Sequence, residues 1–396
     1  MPSTSDTCNY WIFWRNKAAM IFTTAHAKNF AYTTFLTLLV AAFALRIEWL
    51  VGLYIGVALC VVLRNANMFR TANNLERWVM LLLLCTLTLM LPLSTMRSWT
   101  APMHYGVSLL SMAAAFVLSR NMEALLAACK YSLVIALTVL LATLSVTGLG
   151  DFPLENLIPD SSSNGITSYL IVMQATYSAL KFLRHRQASL ITASLTLFIC
   201  IIGYGRGSIL ASAAIVAINL LSYVSWRRDL RGLRSIALGL GAVFLVSIYF
   251  ADHIVDFVEA NTKIGSGLID EPRQRILTDY MNKIDWASAL TGADYDGTSI
   301  ESDFNGNPHN SFVRAHHIFG ALYLLALAAF PLALVRKRLP PSVKAFAGSM
   351  LCIVLFRCAT EPVLFPTIFD FYFFAFFFAL SGKFLPYPLK NRVVSP

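Results

Sequence analysis

Four side chains in this sequence have the types and spacing that phosphate-ester chemistry needs: Arg206, Arg273, Arg275 and His309. Arg206 lies in GYGRGSIL, between Gly205 and Gly207. The glycines permit a tight turn and close backbone approach by a ligand. A helix starting just after Arg206 would present free N–H groups, which favour anions. An arginine at that position opposes the helix dipole unless an anion sits between the two. The competing reading is an arginine that snorkels to the headgroups. RGSIL (206–210) and RQRIL (273–277) both read R-x-x-x-L. Arginine and leucine four apart share a helix face, so the leucine can pack while the guanidinium faces a cavity. One such pattern arises often by chance. Two, each at the start of an expected helix and joined by Arg275, could clamp a diphosphate through bidentate contacts.

His309 follows Pro308 and precedes Asn310 and Ser311, both good helix caps. Its imidazole, just outside a helix start, can accept a proton near pH 7. The plainer alternative is a histidine that only assists the cap. His316 and His317 fall about two turns further on, roughly 10 Å deeper, and are expected to hydrogen-bond within the bundle. A metal site competes for these residues, because Asp294-Tyr-Asp296 lies nearby. However, His309 and His316 are seven apart, HExxH is absent, and the Asp294 stretch lacks the glutamate that closes a calcium loop. No metal is expected. Seven cysteines without CxxC spacing, none of them in the large loop described below, argue against zinc or disulfide frameworks.

The elements that carry these residues are apolar helices. The chain has 396 residues, 57% hydrophobic and only 13% charged, against about 25% charged in soluble domains. Apolar runs long enough to span a membrane recur throughout. Twelve spans are expected, centred near residues 38, 56, 87, 110, 136, 174, 197, 216, 242, 323, 350 and 374. The first run ends in no cleavage site and reads as a span rather than a removable leader. Alternate loops and both tails carry 21 of the 31 Lys and Arg, which assigns both termini to the cytoplasm. Cytoplasmic loops thus account for the net charge of +10, with no nucleic acid required. Arg46, Arg97, Arg206, Lys263, Arg273, Arg275, Lys283, Arg314 and Arg357 oppose this bias. The expected organisation is spans 1–9 over 1–251, an outer lobe over 252–310 and spans 10–12 over 311–396. The lobe holds 11 of the 21 acidic residues and four basic ones. Within it, residues 271–290 are expected to form a helix with Pro272 in its first turn and Ile276, Tyr280, Ile284 and Ala287 on one face. The aromatic run 369–378 reads as a lipid-facing or packing surface.

His309, Asn310, nine residues, Gly320, two residues and Tyr323 fit H-[NSQ]-x9-G-x-x-[GTY]. With twelve spans, a large loop between the ninth and tenth, and two R-x-x-x-L elements, the chain resembles the bacterial O-antigen ligases. The resemblance implies an all-α, GT-C-like polytopic membrane protein of the bacterial inner membrane, with a periplasmic active site and helices in its periplasmic loop. It implies a metal-independent, inverting glycosyltransferase without cofactor or nucleotide. The donor would be an O-antigen polysaccharide on undecaprenyl diphosphate, and the acceptor the lipid A-core oligosaccharide. By the same resemblance His309 is the general base, and Arg206 and Arg273, with Arg275, bind the diphosphate. O-antigen polymerases and protein oligosaccharyltransferases use the same donor and remain open. A transporter of lipid-linked sugars fits less well, because the polar candidates gather at one boundary rather than mid-membrane in repeated halves.

Overall fold

The computed structural model describes residues 28–45, 47–148, 154, 157, 162–227 and 271–382. Among these residues there are helices and connections but no strands. The order is α1 (Lys28–Leu45), α2 (Glu48–Arg64), a 3₁₀ turn (Ala66–Thr71), α3 (Asn74–Arg97), α4 (Ala101–Ser119) and α5 (Met122–Thr147). There follow α6 (Ser163–His185), α7 (Leu190–Ile202) and α8 (Arg206–Arg227). After these come three short helices, α9 (Glu271–Asn282), α10 (Trp286–Thr291) and α11 (Ser299–Ser302). The chain closes with α12 (Ser311–Arg336), α13 (Pro341–Thr360) and α14 (Asp370–Ser381). Eleven of the twelve expected span centres fall in helices, and the twelfth, residue 242, lies outside the described residues. Among the described residues, seven helices (α1, α3, α4, α5, α8, α12 and α13) are long and apolar enough to cross a membrane. The described residues are thus those of an all-helical, polytopic membrane protein.

Two of the helices that miss that standard, α6 and α14, do so for a structural reason. Every residue of α14 is buried, as is the whole of α6 from Ile166 to Leu180. These two helices pack against each other and are enclosed by the rest. A helix with no lipid-facing side need be neither long nor uniformly apolar. α6 therefore carries Gln174 and Ser178, bonded to each other at 2.8 Å and to Ser189 at 3.1 and 2.6 Å. The aromatic run is a packing surface. Phe330 of α12 meets Phe374 and Phe377 with centroids 5.1 and 4.9 Å apart, and Phe116 of α4 meets Phe378 edge-on at 5.2 Å.

One end of the bundle is pinned by charge. Fully buried Glu76 completes a capping box with Asn73, and accepts from Arg120 at 2.7 Å and from the Ser381 hydroxyl at 2.8 Å. Lys337 donates to the carbonyls of Leu380 and Gly382. These contacts pair buried Glu76 with a cation and fix the ends of α3, α4, α12 and α14 relative to one another.

At the opposite end α9, α10 and α11 form a small lobe. Its core is Ile276, Tyr280, Ala293 and Ile300, joined to the bundle through Val313 of α12. The single helix expected over 271–290 is two. Asp285 accepts from the Ser288 N–H at 2.7 Å, and the Ser288 hydroxyl returns to the Asp285 N–H. This capping box starts a new helix and outweighs continuous helical periodicity. The apolar stripe packs inside the lobe through Ile276 and Tyr280, while Leu277 and Met281 are exposed.

Candidate functional site

α12 begins at Ser311, and His309 stands two residues ahead of it with φ +46°. That left-handed backbone is uncommon outside glycine and Asn-like residues and costs free energy. Polar side chains on both sides hold it. The His309 N–H donates to Asn307 Oδ1 at 3.0 Å, and Asn310 Oδ1 accepts from the N–H groups of Phe312 and Val313. The imidazole meets the edge of Phe304, with centroids 5.4 Å apart, and lines a cavity of about 900 Å³. Its Nδ1 is shielded from solvent without a hydrogen bond, 3.9 Å from Glu361 Oε2.

Glu361 is the hub of the site. It follows the last turn of α13, is 3% exposed, and lines the same cavity. Its Oε1 accepts from Arg273 Nη2 at 2.6 Å, while its backbone carbonyl accepts from the Ser311 hydroxyl at 2.7 Å. Thus α9, α12 and α13 meet at one residue. One turn earlier, Arg357 is fully buried and donates to Ser168 Oγ at 2.5 Å and Thr360 Oγ1 at 3.0 Å. Gly207 lies against it, and a Cβ there would come 2.5 Å from Arg357 Nη1. A Cβ on Gly205 would collide with the Asn164 amide. The glycines flanking Arg206 therefore serve close approach by α6 and Arg357, where the sequence had suggested approach by a ligand.

The expected residues are partly brought together. His309 and Arg273 converge on Glu361. Arg206 heads α8, half-buried, between the two glycines packed on α6 and Arg357. Arg275 is not drawn in. Its side chain is 66% exposed and pairs with Asp303 at 3.6 Å and Asp279 at 3.9 Å. Asn310 caps α12. Gly320 interrupts α12 with φ +71°, and Tyr323 is buried with its hydroxyl 3.2 Å from Ser108 Oγ.

His316 and His317 bond to the lobe rather than within the bundle. His316 Nε2 donates to the Ala289 carbonyl at 2.9 Å, so its Nδ1 accepts from the Tyr280 hydroxyl at 2.8 Å. His317 Nδ1 donates to the Ala293 carbonyl at 2.7 Å and its ring stacks on Tyr295. Arg97 donates to the carbonyls of Thr291 and Gly292, which α10 leaves open at its end. Arg314 donates to the carbonyls of Pro362 and Leu364 at 2.6 and 3.0 Å. Asp370 takes the N–H groups of Phe365 and Thr367 at 2.7 and 3.1 Å. The stretch from Glu361 to Phe369 is thus gripped by an arginine on its carbonyls and a carboxylate on its amides.

Among the described residues no three His, Cys, Asp or Glu side chains come together in a way that could hold a metal. Asp294 is an anchor for Lys283, which also reaches the Asp296 carbonyl. That hydrogen bond holds the Asp294 carboxyl below the usual range for aspartate.

The cavity has two chemical halves. Phe43, Val51, Ile55 and Val107 supply an apolar wall, and His309, Arg314 and Glu361 supply polar groups. A ligand with a hydrocarbon part and an anionic or hydroxylated head suits both. Glu361 and Ser168 were missed in the sequence. The available signal was an arginine and a glutamate four apart, RCATE (357–361), closing an apolar span. No protein-family model, curated protein or solved structure matches the chain.

Proposed function

We propose that this chain is a glycosyltransferase of the O-antigen ligase type. In this reading it moves a preassembled polysaccharide from undecaprenyl diphosphate to the lipid A-core oligosaccharide. The observation that carries the reading is the His309 imidazole at a cavity beside buried Glu361, which is ion-paired to Arg273. The fit of His309, Asn310, Gly320 and Tyr323 to the ligase pattern supports it. The proposal includes twelve spans in a GT-C-like arrangement in the bacterial inner membrane, with cytoplasmic termini and a site open to the periplasm.

The chemistry asks little beyond these groups. His309 takes the proton from the acceptor hydroxyl while its oxygen bonds to the anomeric carbon of the donor. The bond from that carbon to the diphosphate oxygen breaks, and undecaprenyl diphosphate leaves with the electron pair. Attack opposite the leaving group inverts the anomeric centre. Arg206 and Arg273 balance charge on the departing diphosphate, a task that divalent metals perform elsewhere. Arg275, facing Asp279 and Asp303, is at most a peripheral contributor.

Purified protein in detergent, given lipid-linked polysaccharide and lipid A-core, is expected to form the linked product with EDTA present. Donor translocation in liposomes without transfer in detergent would overturn the reading in favour of transport. Loss with EDTA and recovery with Mg²⁺ or Mn²⁺ would overturn the metal-independent mechanism. Arg206→Lys keeps the charge but removes the planar fork. It is expected to lower transfer about tenfold or more, the loss of roughly one charge-assisted hydrogen bond. Wild-type rates would place the diphosphate away from α8.

A further inference from the structure

Glu361 faces two partners and bonds only one. Its Oε1 is held by Arg273 at 2.6 Å, whereas its Oε2 stops 3.9 Å from His309 Nδ1, beyond hydrogen-bond distance. That Nδ1 is shielded from water and has no hydrogen-bond partner. A buried polar nitrogen left unbonded costs free energy, so the arrangement is poised to close. The histidine's contact to Glu361 fixes which ring nitrogen does the chemistry. If Nδ1 carries the proton and donates to the carboxylate, Nε2 keeps its lone pair for an incoming hydroxyl.

We propose that Glu361 is a positioning residue shared between donor binding and base activation. Resting on the function argued above, the proposal is that a diphosphate draws Arg273 off Glu361. The released carboxylate then closes onto His309 Nδ1, selecting the Nε2 base and stabilising the imidazolium that forms on proton transfer. The general base is thereby armed only when the donor is present. An acceptor arriving first meets a histidine without its carboxylate partner. The other charged or titratable groups around His309 are Arg314 of α12, His104 of α4 and Glu48 of α2, which line the same cavity. Arg357 lies one turn behind Glu361. Arg314 is engaged with backbone carbonyls.

The exchange has a signature that a purely structural role lacks. Glu361→Gln cannot hold Arg273 as an ion pair, so donor KM is expected to stay level or fall. Its kcat is expected to drop by roughly 10²-fold, less than the ~10⁴-fold known for loss of a hydrogen-bonded carboxylate from a buried triad. The acidic limb of its kcat profile should move to lower pH, because the imidazolium has lost its counter-charge. Glu361→Asp should recover part of kcat and return the limb towards its wild-type position. Equal losses in kcat and donor affinity, with no movement of the limb, would overturn the proposal.

A second measurement needs no turnover. ¹⁵N-histidine NMR of the full chain can follow His309 titration with and without inorganic pyrophosphate. Pyrophosphate should raise the His309 pKa more in wild type than in Glu361→Gln. Arg273→Ala, which frees the carboxylate outright, should show a raised pKa before any pyrophosphate is added. An equal pyrophosphate response in wild type and Glu361→Gln, or an unchanged resting pKa in Arg273→Ala, would overturn the exchange. Absence of transfer by the wild-type protein would instead overturn the glycosyltransferase reading.

Discussion

His309→Ala is expected to reduce glycan transfer by roughly 10²–10⁴-fold, the usual contribution of a positioned general base, while the protein remains folded. Little stability depends on this side chain. It is 25% exposed, and the carboxylate it faces is 3.9 Å away, beyond hydrogen-bond distance. Its backbone, at φ +46°, is the part under strain. His309→Asn is therefore the cleaner companion, since asparagine tolerates that region and cannot act as the base. Both variants should bind donor lipid and melt near the wild-type temperature. His316→Ala should behave in the opposite way. It removes bonds to Ala289 and Tyr280 and so loosens the lobe, lowering the melting temperature more than turnover. Near-normal transfer by both His309 variants would remove the histidine from the mechanism.

Gly320→Ala should have the largest effect on the fold. A Cβ at this position would come 2.7 Å from Thr291 C and 2.8 Å from Leu290 C, both backbone atoms with nowhere to rotate. At φ +71° and ψ −174° the backbone lies in a region essentially reserved for glycine, which adds about 1–3 kcal/mol for any L side chain. Overpacking of this kind typically costs a further 1–3 kcal/mol or so, and α10 must back away from α12 to relieve it. Arg97 then loses the carbonyls of Thr291 and Gly292. A melting temperature several degrees lower and faster proteolysis within 283–298 are expected. A wild-type melt and digestion pattern would show that the two helices do not meet at this glycine.

The legible parts of this molecule were those set by local rules. Apolar runs located eleven helices, because segments that face lipid or lie buried inside a bundle are both predominantly apolar. His309 and Asn310 stood out because a helix cap is a local event, and Gly320 because it completes the ligase pattern. Glu361 did not stand out. Its importance comes from Arg273 and His309, residues 88 and 52 positions away, and nothing in a linear pattern joins three separate helix ends. Arg275 misled for the same reason. It shares a motif with Arg273, but two positions along a helix turn it to another side, where Asp279 and Asp303 are waiting. The glycines beside Arg206 advertised closeness without naming the partner, which proved to be Asn164 and Arg357.

The short helices carry a mechanical implication for the bilayer. At a rise of about 1.5 Å per residue, α14 reaches only about 18 Å and α7 about 20 Å, against a hydrocarbon thickness of roughly 30 Å. For α14 the shortfall is hidden, because the non-helical stretch before it is enclosed by protein, the one setting in which such backbone is tolerated at that depth. α7 has no such shelter, and Ile191 and Phe198 stand 79% and 52% exposed along it. In the proposed twelve-span arrangement, lipids beside α7 would have to compress to meet it, at a cost of a fraction of a kcal/mol per ångström. In that arrangement the turn from α7 into Arg206 would lie on the pinched rim, where a lipid headgroup would meet the arginine without being lifted far from its own leaflet.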